Sequence, residues 1–354
     1  MDLQSLGWNE SFAGHFVSHA AKGRLPARVT LEHQHIYGVH TGEADVLATV
    51  SGGMRYKAAG RQAFPAVGDW VAIKAPEVGH RAVIHAILPR KSKFSRKVAG
   101  DVTVEQVVAA NIDTVFVVMG LDGDYSVRRI ERYLITAWDG GAAPVIVLNK
   151  ADVCTDVAGA VADVVAVAPG VPVHAISTRH DAELTCLDPY LAVGRTVALL
   201  GSSGVGKSTI VNRLVGHDVQ RTREVREDDQ RGRHTTTSRQ LIILPTGALL
   251  IDTPGMRELQ LWDGALGLTA AFEDVEVLGA GCRFGNCLHH TEPGCAVKRA
   301  VEDGTLDAGR LASYRLLHRE RAWMASRVDE KASQDRKRHE KMIGKLARDF
   351  KPRE

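Results

Sequence analysis

Apolar residues follow two rhythms along the chain. Over the first hundred positions they come in short runs, at 27–32, 37–40, 44–50, 70–73 and 81–88. Gly52-Gly53 and Phe64-Pro65-Ala66-Val67-Gly68-Asp69 punctuate them. About five short strands separated by turn signals predict a small barrel, and the count fits the five-stranded barrel that binds oligonucleotides. From about residue 112 the runs become continuous and β-branched, as in strands buried on both faces. Strands are predicted at 114–119, 144–148, 171–176, 197–200, 240–244 and 248–251, with a helix at 125–139. Strands alternating with helical segments imply a mostly parallel sheet. Residues 311–350 have helical composition, with few glycines and Pro352 beyond them.

Composition narrows the class. The chain has 354 residues, 44% hydrophobic and 25% charged, the balance of a globular protein with room for two or three domains. No apolar run approaches the ~18 residues that span a bilayer, and residues 1–10 show no signal-peptide pattern. Five cysteines, three of them between 282 and 295, do not read as a disulfide framework, so a reducing cytoplasm and no membrane partner are expected. Net charge is +3 but unevenly spread. Residues 1–105 hold 13 Lys/Arg against 9 Asp/Glu, residues 106–309 hold 18 against 26, and residues 310–354 hold 14 against 7. Basic ends around an acidic middle suggest a central machine flanked by modules that dock on a polyanion. The stretch Arg90-Lys91-Ser92-Lys93-Phe94-Ser95-Arg96-Lys97 is either such a phosphate track, with Phe94 stacking on a base, or a solvated linker with Phe94 packed on the barrel.

The strongest chemical signal is Gly201-Ser202-Ser203-Gly204-Val205-Gly206-Lys207-Ser208-Thr209, after a predicted strand and before a helical segment. It satisfies GxxxxGK[ST] in the context that motif requires. Its glycines let successive amides point at phosphate oxygens. Lys207 is expected on the β- and γ-phosphates and Ser208 on Mg²⁺. Asn149-Lys150-Ala151-Asp152 ends another strand. A carboxylate there can accept from N1–H and the exocyclic amine of guanine, a donor pair that adenine lacks, so GTP is expected rather than ATP. Asp252-Thr253-Pro254-Gly255 ends a third strand, with Asp252 expected to reach Mg²⁺ through water and the Gly255 amide to sense the γ-phosphate. Between them lies a charged segment containing Gly232-Arg233-His234-Thr235-Thr236-Thr237, one of whose threonines, Thr236 or else Thr235, is expected on Mg²⁺. Ala175-Ile176-Ser177-Thr178 is a weaker base-loop candidate, with Thr178 where GTPases often have Ala. The base motif at 149 precedes the phosphate motif at 201, so the motif order is circularly permuted. Met256 follows Gly255 where many GTPases carry a water-orienting Gln, and a thioether cannot do that work. His234 is the candidate for it, or else a solvent- or RNA-facing histidine. Finally, Cys282-x4-Cys287-x-His289-x5-Cys295 offers three thiolates and an imidazole, the donor set of a closed structural Zn²⁺ site, with His290 able to replace His289. Cys154 and Cys186 are isolated thiols.

These residues resemble one family: the circularly permuted, ribosome-associated GTPases called RsgA or YjeQ. The resemblance runs through Pro65-Ala66-Val67-Gly68-Asp69-Trp70, Glu105-Gln106-Val107-Val108-Ala109-Ala110-Asn111, the permuted motifs, the Gly232–Thr237 run and Glu292-Pro293-Gly294-Cys295. It implies an OB-fold barrel at 1–105, a circularly permuted α/β P-loop GTPase domain at 106–275 and an α-helical zinc-binding domain with a basic tail at 276–354. It also implies binding to the small ribosomal subunit and its rRNA, late subunit maturation, and release after subunit-stimulated GTP hydrolysis. A monomer is expected. One rival is a metabolic P-loop kinase, against which stand the guanine motif and the lack of an apparent acceptor-binding domain. The other is a non-catalytic RNA-binding protein with nucleotide as a structural ligand, which single-turnover GTP hydrolysis with and without subunits would separate.

Overall fold

Alternating inward and outward residues curl the first five strands into a barrel. The computed structural model describes residues 2–33, 35–75, 81–98, 101–180, 184–216, 239–252 and 265–323. Helix α1 (Glu10–Ala20) is capped by Asn9, whose side chain accepts from Phe12 N. It precedes β1 (Leu25–His33), β2 (Ile36–His40) and β3 (Asp45–Val50). A short helix, α2 (Gly52–Lys57), then leads to β4 (Trp70–Lys74) and β5 (Ala82–Ile87). The neighbour order is β1-β2-β3-β5-β4, and β4 pairs back onto β1, so the sheet closes. The β3–β5 contact is parallel and the other barrel pairings are antiparallel. One end is filled by aromatic rings: Phe12 and Phe16, four apart on α1, pack with Trp8, whose ring lies 4.7 Å from that of Trp70.

The basic stretch after the barrel is not a linker, but its aromatic residue is packed inward, as the second of the two readings had it. It enters a hairpin of β6 (Lys93–Val98) and β7 (Asp101–Ala110), which periodicity did not predict. Arg90 clasps the fully buried Asp69 with two 2.7 Å hydrogen bonds. Lys91 pairs with Asp113 at 2.6 Å and Lys93 with Glu105 at 2.7 Å. Phe94 is 1% exposed and lies against Gly140, so of the two readings the packed ring holds and the stacked one does not: its ring fills the space that Gly140 leaves free of a side chain. The expected boundary at 105/106 falls inside β7.

The central layer is built from β8 (Thr114–Gly120), α3 (Val127–Asp139), β9 (Ala143–Asn149), α4 (Val157–Val167), β10 (Val173–Ala175), β11 (Thr196–Leu200), α5 (Lys207–Val215), β12 (Arg239–Ile243) and β13 (Leu249–Asp252). The sheet order is β10-β9-β8-β11-β13-β12, parallel throughout except for β12. All six predicted strands are present. β12 also pairs with Leu31 and Glu32 of β1, which joins barrel and central sheet into eleven hydrogen-bonded strands. Arg28 seals this junction. Its guanidinium is buried and donates to carbonyl oxygens of Leu6, Gly68 and Asn111 and to Thr196 Oγ1. Burial, with no carboxylate in contact, lowers its pKa to about 10.

Beyond the sheet lie α6 (Ala265–Ala271), α7 (Glu273–Gly279), α8 (Ala296–Glu302) and a helix over 308–323. Phe272, Val275, Val297, Leu306, Leu311 and Tyr314 form their own core, which also takes in Ile135 of α3. The expected basic tail continues past residue 323, outside the described residues.

Candidate nucleotide site and metal centre

Every described phosphate- and base-motif residue sits at the carboxyl end of a parallel strand, the side on which open α/β sheets bind ligands. β11 runs into Gly201, and the loop returns as α5 at Lys207. Gly201, Gly204 and Gly206 have φ of 152°, 81° and 100°, a region that suits glycine. A Cβ on Gly201 would strike the Val118 carbonyl, and one on Gly206 the Asn149 side-chain amide. The loop is therefore pressed against its neighbours on both sides. Lys207 is buried and its Nζ donates to the carbonyls of Gly201 (2.7 Å) and Ser202. Ser203, Val205, Ser208 and Thr209 complete the turn and the first helical residues.

The second motif locks onto the first. Asn149 is fully buried; its Nδ2 donates to Val205 O at 2.8 Å and its Oδ1 accepts from Thr178 N at 3.1 Å. Lys150 has φ 64°, which turns the chain sharply, and its Nζ reaches Asp122 at 2.5 Å. Burial opposes ionisation of Asp122, but the hydrogen bonds from Lys150 and Asp124 N outweigh it and hold the carboxyl below its usual value. Ala151 N donates to Ile176 O. Asp152 accepts from Ser177 Oγ at 2.6 Å, and this bond holds its pKa down, so it is a carboxylate at neutral pH. Arg213 of α5 donates to Thr178 O at 2.6 Å. Three loops separated in sequence, at 149–152, 176–178 and 201–208, thus share one set of hydrogen bonds. Asp252 closes β13 at the same edge, opposite Gln240. Thr253, Gly255 and Met256, and His234, Thr235 and Thr236, lie outside the described residues.

Sequence reasoning missed the contribution of α3. Arg129 donates to Ser202 Oγ at 3.0 Å, and the Tyr133 hydroxyl lies 3.3 Å from the same oxygen. The i, i+4 spacing of the two residues places them on one helical face, a signal readable only once their target is known.

The cysteine cluster is assembled as its spacing suggested. Cys282 Sγ lies 3.8 Å from Cys295 Sγ and 3.6 Å from His289 Nδ1, and Cys295 Sγ lies 3.4 Å from that nitrogen. With Cys287, all four ligand atoms fall within 4.8 Å of one another. His289 is buried and His290 exposed, so the imidazole aimed inward is that of His289. The turn between the ligands is shaped by Glu292, whose carboxylate accepts from the N–H groups of Leu288, His290 and Thr291 at 2.8–3.0 Å. Backbone N–H groups, its own and these, hold its pKa down to about 2. This donor set can hold a metal ion.

A closed five-stranded barrel hydrogen-bonded to a parallel sheet whose base-loop motif precedes its phosphate loop defines a circularly permuted P-loop protein. Comparison with known proteins is specific. The RsgA GTPase family model matches residues 87–262. The chain is 49% identical to the small ribosomal subunit biogenesis GTPase RsgA of Opitutus terrae, over 93% of this chain and 92% of that one. Among solved structures it resembles YjeQ from Thermotoga maritima, with TM-score 0.63 and 26% identity over 84% of this chain and 99% of that chain. The fold also matches YloQ, a circularly permuted GTPase, with TM-score 0.58 and 22% identity over 87% of this chain and 96% of that chain. The protein belongs to the RsgA family of GTPases.

Proposed function

We propose that the protein binds the small ribosomal subunit, assists its late maturation and leaves after hydrolysing GTP. The observation that carries the nucleotide half of this reading is the bond from Asn149 to Val205 O, which ties the base loop to the phosphate loop at 2.8 Å. The ribosomal half is supported by the relatives, whose name is small ribosomal subunit biogenesis GTPase. Working domains are 1–105 for RNA, 106–275 for GTP and 276–354 for the metal and the basic tail.

In this reading Asp152 receives the guanine N1–H and amine, held ready by Ser177. The amides of 201–208 and Lys207 hold the phosphates, which requires Lys207 to exchange the carbonyls of Gly201 and Ser202 for phosphate oxygens. Ser208 and Thr236 would hold Mg²⁺, with Asp252 behind it; the ion neutralises charge developing on the phosphates. Gly255 reads the γ-phosphate, and His234 orients the attacking water once the subunit has fixed its loop.

Zn²⁺ is the proposed ion of the cysteine cluster. Tetrahedral bonds of about 2.3 Å to sulfur and about 2.0–2.1 Å to nitrogen give edges of roughly 3.8 Å between sulfurs and 3.6 Å from sulfur to nitrogen. The three edges among Cys282, His289 and Cys295 are 3.8, 3.6 and 3.4 Å, and Cys287 lies within 4.8 Å of each. Four protein ligands leave no position for water, so the ion holds α7 to α8 rather than catalysing. The protein acts as a cytoplasmic monomer. The deciding experiment is single-turnover hydrolysis of GTP and ATP with and without purified small subunits: subunit-stimulated, GTP-selective turnover supports the reading, and equal use of ATP or indifference to the subunit refutes it.

A further inference from the structure

We propose that α2 of the barrel is a docking site for an unpaired nucleotide of RNA, with Tyr56 as the stacking platform and Arg55, Lys57 and Arg61 as its phosphate contacts. This rests on the ribosomal reading above and says where the barrel meets RNA.

The run at 90–94 offers less. Arg90, Lys91 and Lys93 are engaged by Asp69, Asp113 and Glu105, and Phe94 is interior. The α2 segment is the reverse. Its Tyr56 is 91% exposed, and Arg55, Lys57 and Arg61 are exposed as well. None of these three cations has an ion-pair partner among the described residues. Residues 46–68 contain three Lys/Arg and no Asp or Glu, so the surface carries uncompensated positive charge.

The helix that carries the ring is anchored. Ser51 Oγ caps α2 by accepting from Met54 N at 3.2 Å, and Ser51 N donates to Ile84 O at 2.8 Å. Met54 packs on the barrel core. Tyr56 lies two residues further on, about 200° around the helix, and so points directly away from that core. A Cβ placed on Gly52 or Gly53 would meet nothing within 4 Å, so the approach to the ring is open. An exposed aromatic face amid cations without ion-pair partners suits a base and its flanking phosphates, because every base has a face to stack and the cations supply backbone attraction. A lipid anchor needs a broad apolar face, and α2 offers one ring. The site lies on the β3–β4 connection, apart from the β2–β3 face through which such barrels usually bind oligonucleotides.

The test uses the full chain, a non-hydrolysable GTP analogue and purified small subunits, with a labelled single-stranded oligouridine as a second probe. Tyr56→Ala should weaken binding to each by about 5- to 100-fold, the range that stacking energies of ~1–3 kcal/mol per base imply, without changing the salt slope. Tyr56→Phe should bind as the native chain does. The triple variant Arg55→Gln, Lys57→Gln, Arg61→Gln should flatten the slope of log affinity against log salt by about 2, at roughly 0.7 per contact to a single strand. Thermal melting should not move, since Tyr56 supports nothing. Native affinity of Tyr56→Ala for both probes, or equal weakness of Tyr56→Phe, overturns the site. Failure of the native chain to bind subunits overturns the ribosomal reading instead; the oligouridine arm then decides the site alone.

Discussion

Glu131 and Arg310 form an ion pair at 2.8 Å across 179 residues, with Glu131 fully buried and Arg310 only 6% exposed. Glu131 also accepts from Arg128 and Ser313, while Arg310 clasps Asp274 and lies 4.6 Å over the Phe272 ring. The pair fixes α3, which touches the phosphate loop through Ser202, to the helices that carry the metal centre. The two ends are not equivalent. Arg310→Met leaves the buried Glu131 carboxylate with only the part-exposed Arg128 and Ser313, takes the partner from Asp274 as well, and should cost about 3–5 kcal/mol in urea unfolding. Glu131→Gln leaves Arg310 its Asp274 partner and should cost about 1–2 kcal/mol, near the worth of a single hydrogen bond. The reverse order would show that Asp274 carries little of the charge.

Asp152→Asn should lose about 10- to 100-fold in GTP affinity, as expected for one charged hydrogen-bond partner worth roughly 1.5–3 kcal/mol. It should gain xanthine nucleotides, whose 2-oxo group accepts from an amide. Equilibrium titration with GTP and XTP reads both. Unchanged preference for GTP would place guanine recognition elsewhere.

Chelation, or Cys295→Ser, should unfold the segment around α7 and α8 and leave GTP affinity within about twofold, because metal binding energy here is local folding energy. Limited proteolysis should then cut between 280 and 300 first. A native chain free of bound zinc on elemental analysis contradicts the assignment.

Asp139 gives a pH test. Burial raises its pKa from 3.8 to about 6, against the opposing hydrogen bond from Gly267 N and the charge of Arg321. Between those values the folded protein holds a proton that the unfolded chain has released. Stability therefore falls as pH rises from 3.8 to about 6 and stays lower above. Asp139→Asn keeps an oxygen for Gly267 N, 2.6 Å away, and removes the penalty. It should melt higher than the native chain at neutral pH and the same at the acid end. A parallel offset at all pH values would count against Asp139.

His234→Ala should bind GTP and the subunit normally, lose most of the subunit-stimulated rate, and remain on the subunit in the GTP state. Native turnover on the subunit would pass the role to another residue of the same loop.

The glycines at 201, 204 and 206, the buried runs before each motif and the four metal ligands were legible because each is a local pattern with a fixed spacing. What was not legible depends on distant partners. Phe94 stands among cations, yet Gly140, 46 residues on, decides that its ring goes inward. Ser202 is held by a helix that ends more than sixty residues earlier, and the Asn149 side chain is used on the phosphate loop, which its own motif does not name. The β6–β7 hairpin was missed because β6 is mostly charged and the brief alternation of Asp101–Glu105 in β7 breaks off at Gln106.

The sheet order also has a consequence for synthesis. β8, β9 and β10 emerge first and already form one contiguous parallel flank. β11, with the phosphate loop, then adds to the open edge of β8, β12 meets β1 of a barrel made some two hundred residues before, and β13 arrives last between β11 and β12. Each addition finds a waiting edge, and the last one joins the central sheet to the barrel. The permuted order thus lays down the base-loop strands before the phosphate loop that locks onto them is made, and the barrel serves as the end stop.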